Sequence, residues 1–323
     1  MSILNGSFLS QNISIVHPEY FFITGLTDAP YSTYFYLFLF IIYFISVIGN
    51  SIVLLIIALH RSLHSPMYIG VFNLALADIG ETNALIPNMI KLFVFESQYI
   101  SYNACLANMF FVNFFITVQT YTLVVLAFDR FVAICLPLRY NAIVNNKFMA
   151  ILFSVIWAFN TFLVTLSTSL ITRLSFCKSN VIESWYCDYD RLVRMPCNDS
   201  SINNVIVILI QAFFLVAPPF IIVLSYLGIF IALCKITTWE GRFKALKTCV
   251  SHLLVVGSFF LPIISNIVSA STANAKIIGG TLSLTLPPML NPIIYVLTTA
   301  KIKDLIRKML NNRSAQITVN VSK

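Results

Sequence analysis

The chain has 323 residues, of which 59% are hydrophobic and only 10% are charged. A soluble domain carries roughly 25% charged residues because its surface faces water, so most of this surface must face an apolar environment. The net charge of +8 would suit a nucleic-acid partner. The basic residues lie in short loops between apolar runs rather than on one basic face, which argues against nucleic-acid binding.

Seven apolar runs follow one another along the chain, and each is long enough to cross a bilayer as a helix of roughly 20 residues. They are Phe35 to Leu59, Val71 to Phe95 (broken by Pro87), Cys105 to Ile134, Met149 to Ile171, Ile202 to Leu233, Ala245 to Ala270 and Ile277 to Thr298. Membrane strands are the alternative, but a spanning strand needs only about 10 residues and alternates polar with apolar side chains. The sequence therefore predicts an all-α fold, a seven-transmembrane helix bundle, without the internal repeat of many transporters.

The two ends of the chain are predicted to lie outside this bundle. Residues 1–34 form one tail, residues 35–298 the transmembrane domain and residues 299–323 the other tail. From Lys301 to Leu310, basic and apolar residues alternate at helical spacing, which predicts a short amphipathic helix on the membrane surface. Residues 1–34 lack a basic stretch followed by an apolar core, so we expect no cleavable signal peptide.

Lysine and arginine in the loops predict the orientation, because cytoplasmic loops carry an excess of them. Residues 1–34 contain neither, whereas the segments on the opposite side of the predicted bundle are rich in both. The N-terminus is therefore predicted to lie outside the cell and the C-terminus inside. Asn5, Asn12 and Asn198 each begin an Asn-x-Ser triplet on the outer side and are candidate glycosylation sites.

Four cysteines lie on the predicted outer side, where disulfides form. They are Cys105, Cys177, Cys187 and Cys197. Four cysteines allow three pairings, and the spacing alone does not choose among them. A bond between Cys105 and Cys187 would tie the long outer loop to the third helix, and Cys177 with Cys197 would then close a hairpin in that loop. A zinc site is the alternative, although the closely spaced C-x-x-C pairs typical of such sites are missing.

Polar residues inside the predicted spans are costly and therefore candidates for function. Asn50, Asp78 and Asn291 could share one network with water or a sodium ion; unrelated helix-packing groups are the alternative. Pro292 frees a carbonyl one turn back in the seventh helix, and the neighbouring Asn291 is expected to help satisfy it.

An adjacent acid and base, Asp129 and Arg130, end the third predicted helix on the cytoplasmic side. Such a pair can be joined in one state and separated in another, which frees the guanidinium for a partner. A simple positive-inside anchor is the alternative interpretation.

Six short motifs occur in order along the predicted helices and loops. They are Gly49-Asn50, Leu63-His64-Ser65-Pro66-Met67-Tyr68, LAFDRFVAIC from Leu126 to Cys135, Ser225-Tyr226, KALKTCVSHL from Lys244 to Leu253, and PPMLNPIIY from Pro287 to Tyr295. With these motifs the chain resembles rhodopsin-like (class A) G-protein-coupled receptors and, among them, vertebrate odorant receptors. Phe128 and Phe131 stand where that family usually has tyrosine.

This resemblance implies a plasma-membrane receptor that binds a small-molecule odorant in the outer half of the bundle. It implies activation of a heterotrimeric G protein of the stimulatory, olfactory kind, with a rise in cyclic AMP. The implied disulfides are Cys105–Cys187 and Cys177–Cys197, and a sodium ion would lie near Asp78. The residues implied in activation or coupling are Asp129, Arg130, Tyr226, Asn291, Pro292 and Tyr295. Trp157 would be a packing residue of the fourth helix.

By analogy with this family, inward-facing positions of four helices are candidate ligand contacts. They are Met109, Val112, Asn113, Ile116 and Thr117 of the third helix; Val207, Gln211 and Phe214 of the fifth; Phe260, Ile263, Ile264 and Ile267 of the sixth; and Thr281 and Leu284 of the seventh. Phe260 would lie where the sixth helix bends beneath the ligand. Val112 stands where amine receptors carry an acid, so we do not expect an amine held there by a salt bridge.

Three other classes of protein are alternatives to an odorant receptor. The chain contains no H-E-x-x-H, P-loop or G-x-S-x-G motif, so no enzymatic function is predicted. A transporter or channel would continue polar residues through a pore, whereas the outer half of the sixth run is nearly all apolar. A class A receptor for another ligand, such as a peptide or a lipid, is the nearest alternative.

Overall fold

A computed structural model describes residues 15–26, 31–94, 97–177, 179–235, 238–268, 272–299 and 301–308. The candidate glycosylation sites Asn5 and Asn12 lie outside the described residues, as does most of the predicted tail 299–323. Asn198 is described. Its side-chain amide donates to the carbonyl of Arg173 at 2.9 Å and accepts from the amide of Ser175 at 2.9 Å, so this side chain fixes the loop around it.

Seven helices long and apolar enough to cross a membrane form the bundle, which confirms the predicted fold class. They are α1 (Ser32–Leu59), α2 (Pro66–Val94), α3 (Tyr102–Cys135), α4 (Asn146–Ile171), α5 (Ser201–Lys235), α6 (Trp239–Val268) and α7 (Ala273–Thr298). An eighth helix, α8, comprises residues 301–308. Short helical turns at Tyr140–Ile143 and Tyr189–Val193 lie in the connections, and α5 contains a π-helical turn at Ala212–Val216.

All seven helices begin before the predicted positions, and two of them differ most from the sequence prediction. α2 begins at Pro66 rather than Val71 and continues through Pro87 instead of breaking there. α6 begins at Trp239 rather than Ala245. Apolarity marks only the part of a helix that lies in lipid, so polar first turns were missed. A proline fits the first turn of a helix, and within a membrane helix the carbonyl that it frees can be satisfied by neighbouring groups.

The outward faces of the helices are apolar and exposed, as expected for a chain surrounded by lipid. Phe162 on α4 is 63% exposed and Ile208 on α5 is 66% exposed. The interior is filled where α1, α2, α3, α6 and α7 meet, around Leu74, Leu123 and Phe259. Trp157 of α4 donates from its indole to Asn73 Oδ1 of α2 at 3.1 Å and so joins the two helices.

A small sheet covers one end of the bundle, called here the sheet end. β1 (Tyr20–Ile23) pairs antiparallel with β2 (Tyr99–Ser101) and parallel with β3 (Val181–Ile182). Phe21 on β1 is fully buried against the loop that carries β3. The opposite end is called the Arg130 end, because α3 starts beside the sheet and runs to Arg130 and Cys135. Strands this short leave too little alternation in the sequence to be predicted.

Candidate functional site

The loop between α4 and α5 is fixed over the sheet end of the bundle. Cys105 at the start of α3 is bonded to Cys187, with Cα atoms 5.4 Å apart. Cys177 is bonded to Cys197 within the loop, at a Cα separation of 6.0 Å. These are the pairings that the family resemblance implies. Asn108 strengthens the attachment, because it accepts from the amide of Cys187 and donates to the Ala84 carbonyl of α2.

Two aromatic residues of this loop pack into the bundle. Trp185 is 5% exposed and belongs to one cluster with Val112, Leu85 and Ile86. The ring of Tyr186 lies 4.6 Å from that of Trp185. Val112 and Leu284, both predicted to contact the ligand, belong to the same cluster as these aromatic side chains. Helical periodicity predicts only which face of a helix a residue lies on. It therefore could not predict that this loop folds into the bundle.

A cavity of about 110 Å³ lies between α3, α4 and α5, beneath the loop. Its ten lining residues are Asn113, Ile116 and Thr117 of α3; Leu163, Val164, Ser167 and Thr168 of α4; Tyr189 of the loop; and Ile210 and Phe214 of α5. Four of the predicted ligand contacts meet here, on α3 and α5. The four α4 residues and Tyr189 were not predicted, because the analogy with the family placed ligand contacts only on the third, fifth, sixth and seventh helices. The adjacent hydroxyl residues Ser167 and Thr168, within an apolar helix, are the sequence feature that could have indicated a ligand contact on α4.

The polar groups of the cavity are oriented by their own helices. Thr117 donates its hydroxyl to the Asn113 carbonyl at 2.8 Å, and Ser167 donates to the Val164 carbonyl at 3.0 Å. Their oxygen lone pairs remain able to accept. All ten lining residues are uncharged, so the cavity suits a neutral, mainly apolar molecule with a hydrogen-bond donor.

The remaining predicted ligand contacts lie elsewhere. Met109 and Thr281 are fully buried, Val207 is half-buried, and Phe260 and Ile263 pack in the central core. Ile264 and Ile267 are 48% and 61% exposed, and Gln211 is also exposed, so these three face outwards rather than into a pocket. α5 and α6 are apolar on nearly every face, and the sequence pattern therefore could not orient them.

The predicted polar network of Asn50, Asp78 and Asn291 forms in part. Asn291 of α7 donates to Asp78 Oδ2 of α2 at 2.9 Å. Asn50 of α1 donates to the Pro288 carbonyl at 2.7 Å. Pro288 precedes Pro292 by one helical turn, and Pro292 has no N–H to offer that carbonyl. The expectation that Asn291 would satisfy the freed carbonyl was therefore wrong, because Asn50 does so from the neighbouring helix.

A second carboxyl lies one turn beyond Asp78 on α2. Glu81 is 1% exposed and accepts at Oε2 from Gln119 Nε2 of α3, 2.5 Å away. Within the described part of the chain, five buried side-chain oxygens around these residues have no hydrogen-bond donor. They are Asn50 Oδ1, Asp78 Oδ1, Glu81 Oε1, Gln119 Oε1 and Asn291 Oδ1. Buried oxygens rarely lack a partner, and hard cations prefer oxygen ligands of this kind.

At the Arg130 end, the acid and base of α3 are paired. Arg130 lies 3.3 Å from Asp129, and their side chains are 11% and 1% exposed. Tyr140, in the connection after α3, donates to Asp129 Oδ1 at 2.7 Å. Burial, and then the neighbouring Asp129 carboxylate, raise the pKa of Tyr140, so its hydroxyl remains a donor. No role was predicted for Tyr140 from the sequence.

His252 joins three helices at the same end and was not singled out from the sequence. Its Nε2 lies 3.0 Å from the Leu123 carbonyl of α3, and its Nδ1 lies 2.8 Å from the Tyr226 hydroxyl of α5. A carbonyl can only accept, so Nε2 carries the proton and Nδ1 accepts from Tyr226. The ring is 5% exposed. This neutral histidine therefore holds α6 against α3 and α5.

A bundle of seven membrane-length helices, a disulfide-tied loop over one end and a buried acid–base pair at the other define a multi-pass membrane receptor of the rhodopsin-like class. The family model for olfactory receptors matches residues 39–313. Olfactory receptor 1E16 of Mus musculus is 34% identical over 301 residues, which cover 92% of this chain and 96% of the mouse protein. Olfactory receptor 1M1 of Homo sapiens is 35% identical over 298 residues, or 91% and 95% of the two chains. The chain belongs to the olfactory receptor family, whose members are receptors and not enzymes.

Proposed function

We propose that this protein binds an uncharged small molecule, an odorant, in the cavity between α3, α4 and α5. The uncharged cavity beneath the disulfide-tied loop is the observation that carries this proposal. Its volume of about 110 Å³ is below the roughly 300–1,000 Å³ of ordinary ligand pockets. The ligand is therefore small, and side chains such as Phe214 turn aside when it enters.

The signal leaves the receptor at the Arg130 end, where a stimulatory G protein binds and cyclic AMP rises. The pairing of Arg130 with Asp129 and the attachment of α6 through His252 support this proposal, because both can be released when α6 moves outwards. The excess of lysine and arginine at this end supports an inward-facing C-terminus. The proposed location of the receptor is the plasma membrane.

Filling the cavity is expected to weaken binding of the ligand. Ser167→Phe places a ring in the cavity, whereas Ser154→Phe adds the same ring to an exposed serine of α4 that also donates to a carbonyl of its own helix. Cells with equal surface expression are screened for cyclic AMP against pooled odorants. We expect Ser167→Phe to need at least about a ten-fold higher ligand concentration for a half-maximal response, which corresponds to about 1.4 kcal/mol of binding free energy. An unchanged response in Ser167→Phe would place the ligand elsewhere.

A sodium ion is proposed to bind beside Asp78 and the unpartnered oxygens of Asn291, Glu81 and Gln119. These buried oxygens support it, because each needs a donor or a cation. We expect sodium chloride, compared with choline chloride at equal ionic strength, to raise the unfolding temperature of the purified receptor. The expected stabilisation is about 1–3 kcal/mol, and Asp78→Asn should remove it. Asp190→Asn, in the loop, is the control and should retain it. Equal stability in both salts would contradict the proposal.

A further inference from the structure

A second cavity, of about 260 Å³, lies between α1, α7 and α8 and is separate from the proposed odorant cavity. We call it the α8 groove. Its eight lining residues are all apolar: Ile45, Gly49, Ile52, Pro292, Ile293, Val296, Leu297 and Ile306. Pro292 lines this groove, whereas Asn50, Asp78, Asn291 and Arg130 do not.

The groove opens on the outward face of the bundle. Ile45, Ile52 and Ile293 are 41%, 42% and 40% exposed, and Leu297 is 69% exposed. Its floor exists because Gly49 has no side chain, since a Cβ there would lie 2.9 Å from Pro292 Cγ. Residues on this face of a membrane protein meet lipid rather than water, so the natural occupant of the groove is apolar.

One edge of α8 adds positive charge beside the groove. Ile302 is fully buried, and Ile306 lines the groove. At 3.6 residues per turn, Lys303 and Arg307 lie on the same side of α8 as Ile306. Lys301 and Lys308 lie on the other side, next to Leu305. All four basic residues are exposed, so each can meet a charged group at the membrane surface.

We propose that the α8 groove binds an acyl chain of one anionic phospholipid, whose phosphate contacts Lys303 and Arg307. The apolar lining matches a hydrocarbon chain, and the groove is too small for a whole lipid. Basic residues just beyond a transmembrane helix attract anionic lipids. Placing this lipid in the cytoplasmic leaflet rests on the orientation given in the proposed function, whereas the binding itself does not. The lipid ties α8 to α1 and α7.

The charge contribution is tested by native mass spectrometry of the purified full-length receptor, titrated with phosphatidylserine or phosphatidylcholine. We expect one phosphatidylserine to be retained at concentrations at which phosphatidylcholine is lost. The double variant Lys303→Gln/Arg307→Gln should bind it roughly ten-fold more weakly, a change of about 1.4 kcal/mol. Lys301→Gln/Lys308→Gln removes the same charge from the opposite edge and should bind normally. Equal weakening in both double variants would overturn the assigned headgroup position.

The groove itself is tested by Ile52→Trp, which fills it, beside Ile151→Trp on the exposed face of α4, where Ile151 is 55% exposed. We expect Ile52→Trp to lose the retained phosphatidylserine and Ile151→Trp to keep it. Retention in Ile52→Trp would overturn the proposal. It would also be overturned if Ile52→Trp changed the oligomeric state and left lipid binding intact, because the groove would then be an interface between copies. Neither measurement uses an odorant or a G protein, so failure here is distinct from failure of the proposed function.

Discussion

Replacing Gln119 with leucine is expected to destabilise the receptor by about 1–3 kcal/mol, the usual consequence of leaving a buried polar group without a partner. Among the residues that the structure describes, Gln119 donates the one hydrogen bond that holds the Glu81 carboxyl. Both residues are almost completely buried, between α2 and α3. In Gln119→Leu the carboxyl remains in an apolar interior with no donor from α3. Thermal unfolding of the purified chain measures the loss.

The double variant Glu81→Leu/Gln119→Leu distinguishes this explanation from a packing defect. Removing both partners of a buried hydrogen bond can be nearly neutral, so the double variant should be more stable than Gln119→Leu alone. Gln211→Leu is the control, because Gln211 is exposed on α5, and it should cause no loss. Strictly additive losses from the two single variants would contradict a specific coupling between Glu81 and Gln119.

His252→Leu is expected to raise the basal cyclic AMP signal. The substitution removes both hydrogen bonds that attach α6 to Leu123 of α3 and Tyr226 of α5. At a net contribution of about 1 kcal/mol for each bond, the equilibrium shifts roughly thirty-fold towards the arrangement in which α6 has moved outwards. The signal is measured without ligand, in cells matched for surface expression.

His60→Leu provides the matched control for that measurement. Among the described residues, the ring of His60 bonds only to the Ile56 carbonyl, one turn back in α1, so its loss should leave the basal signal unchanged. If His252→Leu lowered the basal signal, the bonds of His252 would belong to the signalling arrangement rather than to the one described here.

The spans could be predicted from sequence because only helices and closed β-barrels satisfy the backbone in lipid, and these apolar runs are too long and too uniformly apolar for membrane strands. Contacts between helices were harder to predict. The residue that satisfies the carbonyl freed by Pro292 is Asn50, which is remote in sequence, while the expected Asn291 bonds to Asp78. Only the packing of α1 against α7 decides between them.

The lining of the ligand cavity could be predicted only where the sequence shows which way a helix faces. On α3 the inward face can be found by counting helical turns back from Arg130. Asn113, Ile116 and Thr117 lie on that face and line the cavity. The outer half of α6 is nearly all apolar, so Ile264 and Ile267 were assigned inwards although they face outwards. The inward fold of Trp185 depends on the loop and its disulfide, which helical periodicity cannot describe.

The most direct test of the central claim compares cyclic AMP in cells that express this chain or its Arg130→Ala variant beside a stimulatory G protein. Both receive the odorant pool that activates the unmodified chain, at equal surface expression. We expect a rise in cyclic AMP with the unmodified chain and none with Arg130→Ala, because the guanidinium released from Asp129 is the proposed contact with the G protein. A response that survives in Arg130→Ala would contradict coupling at this site.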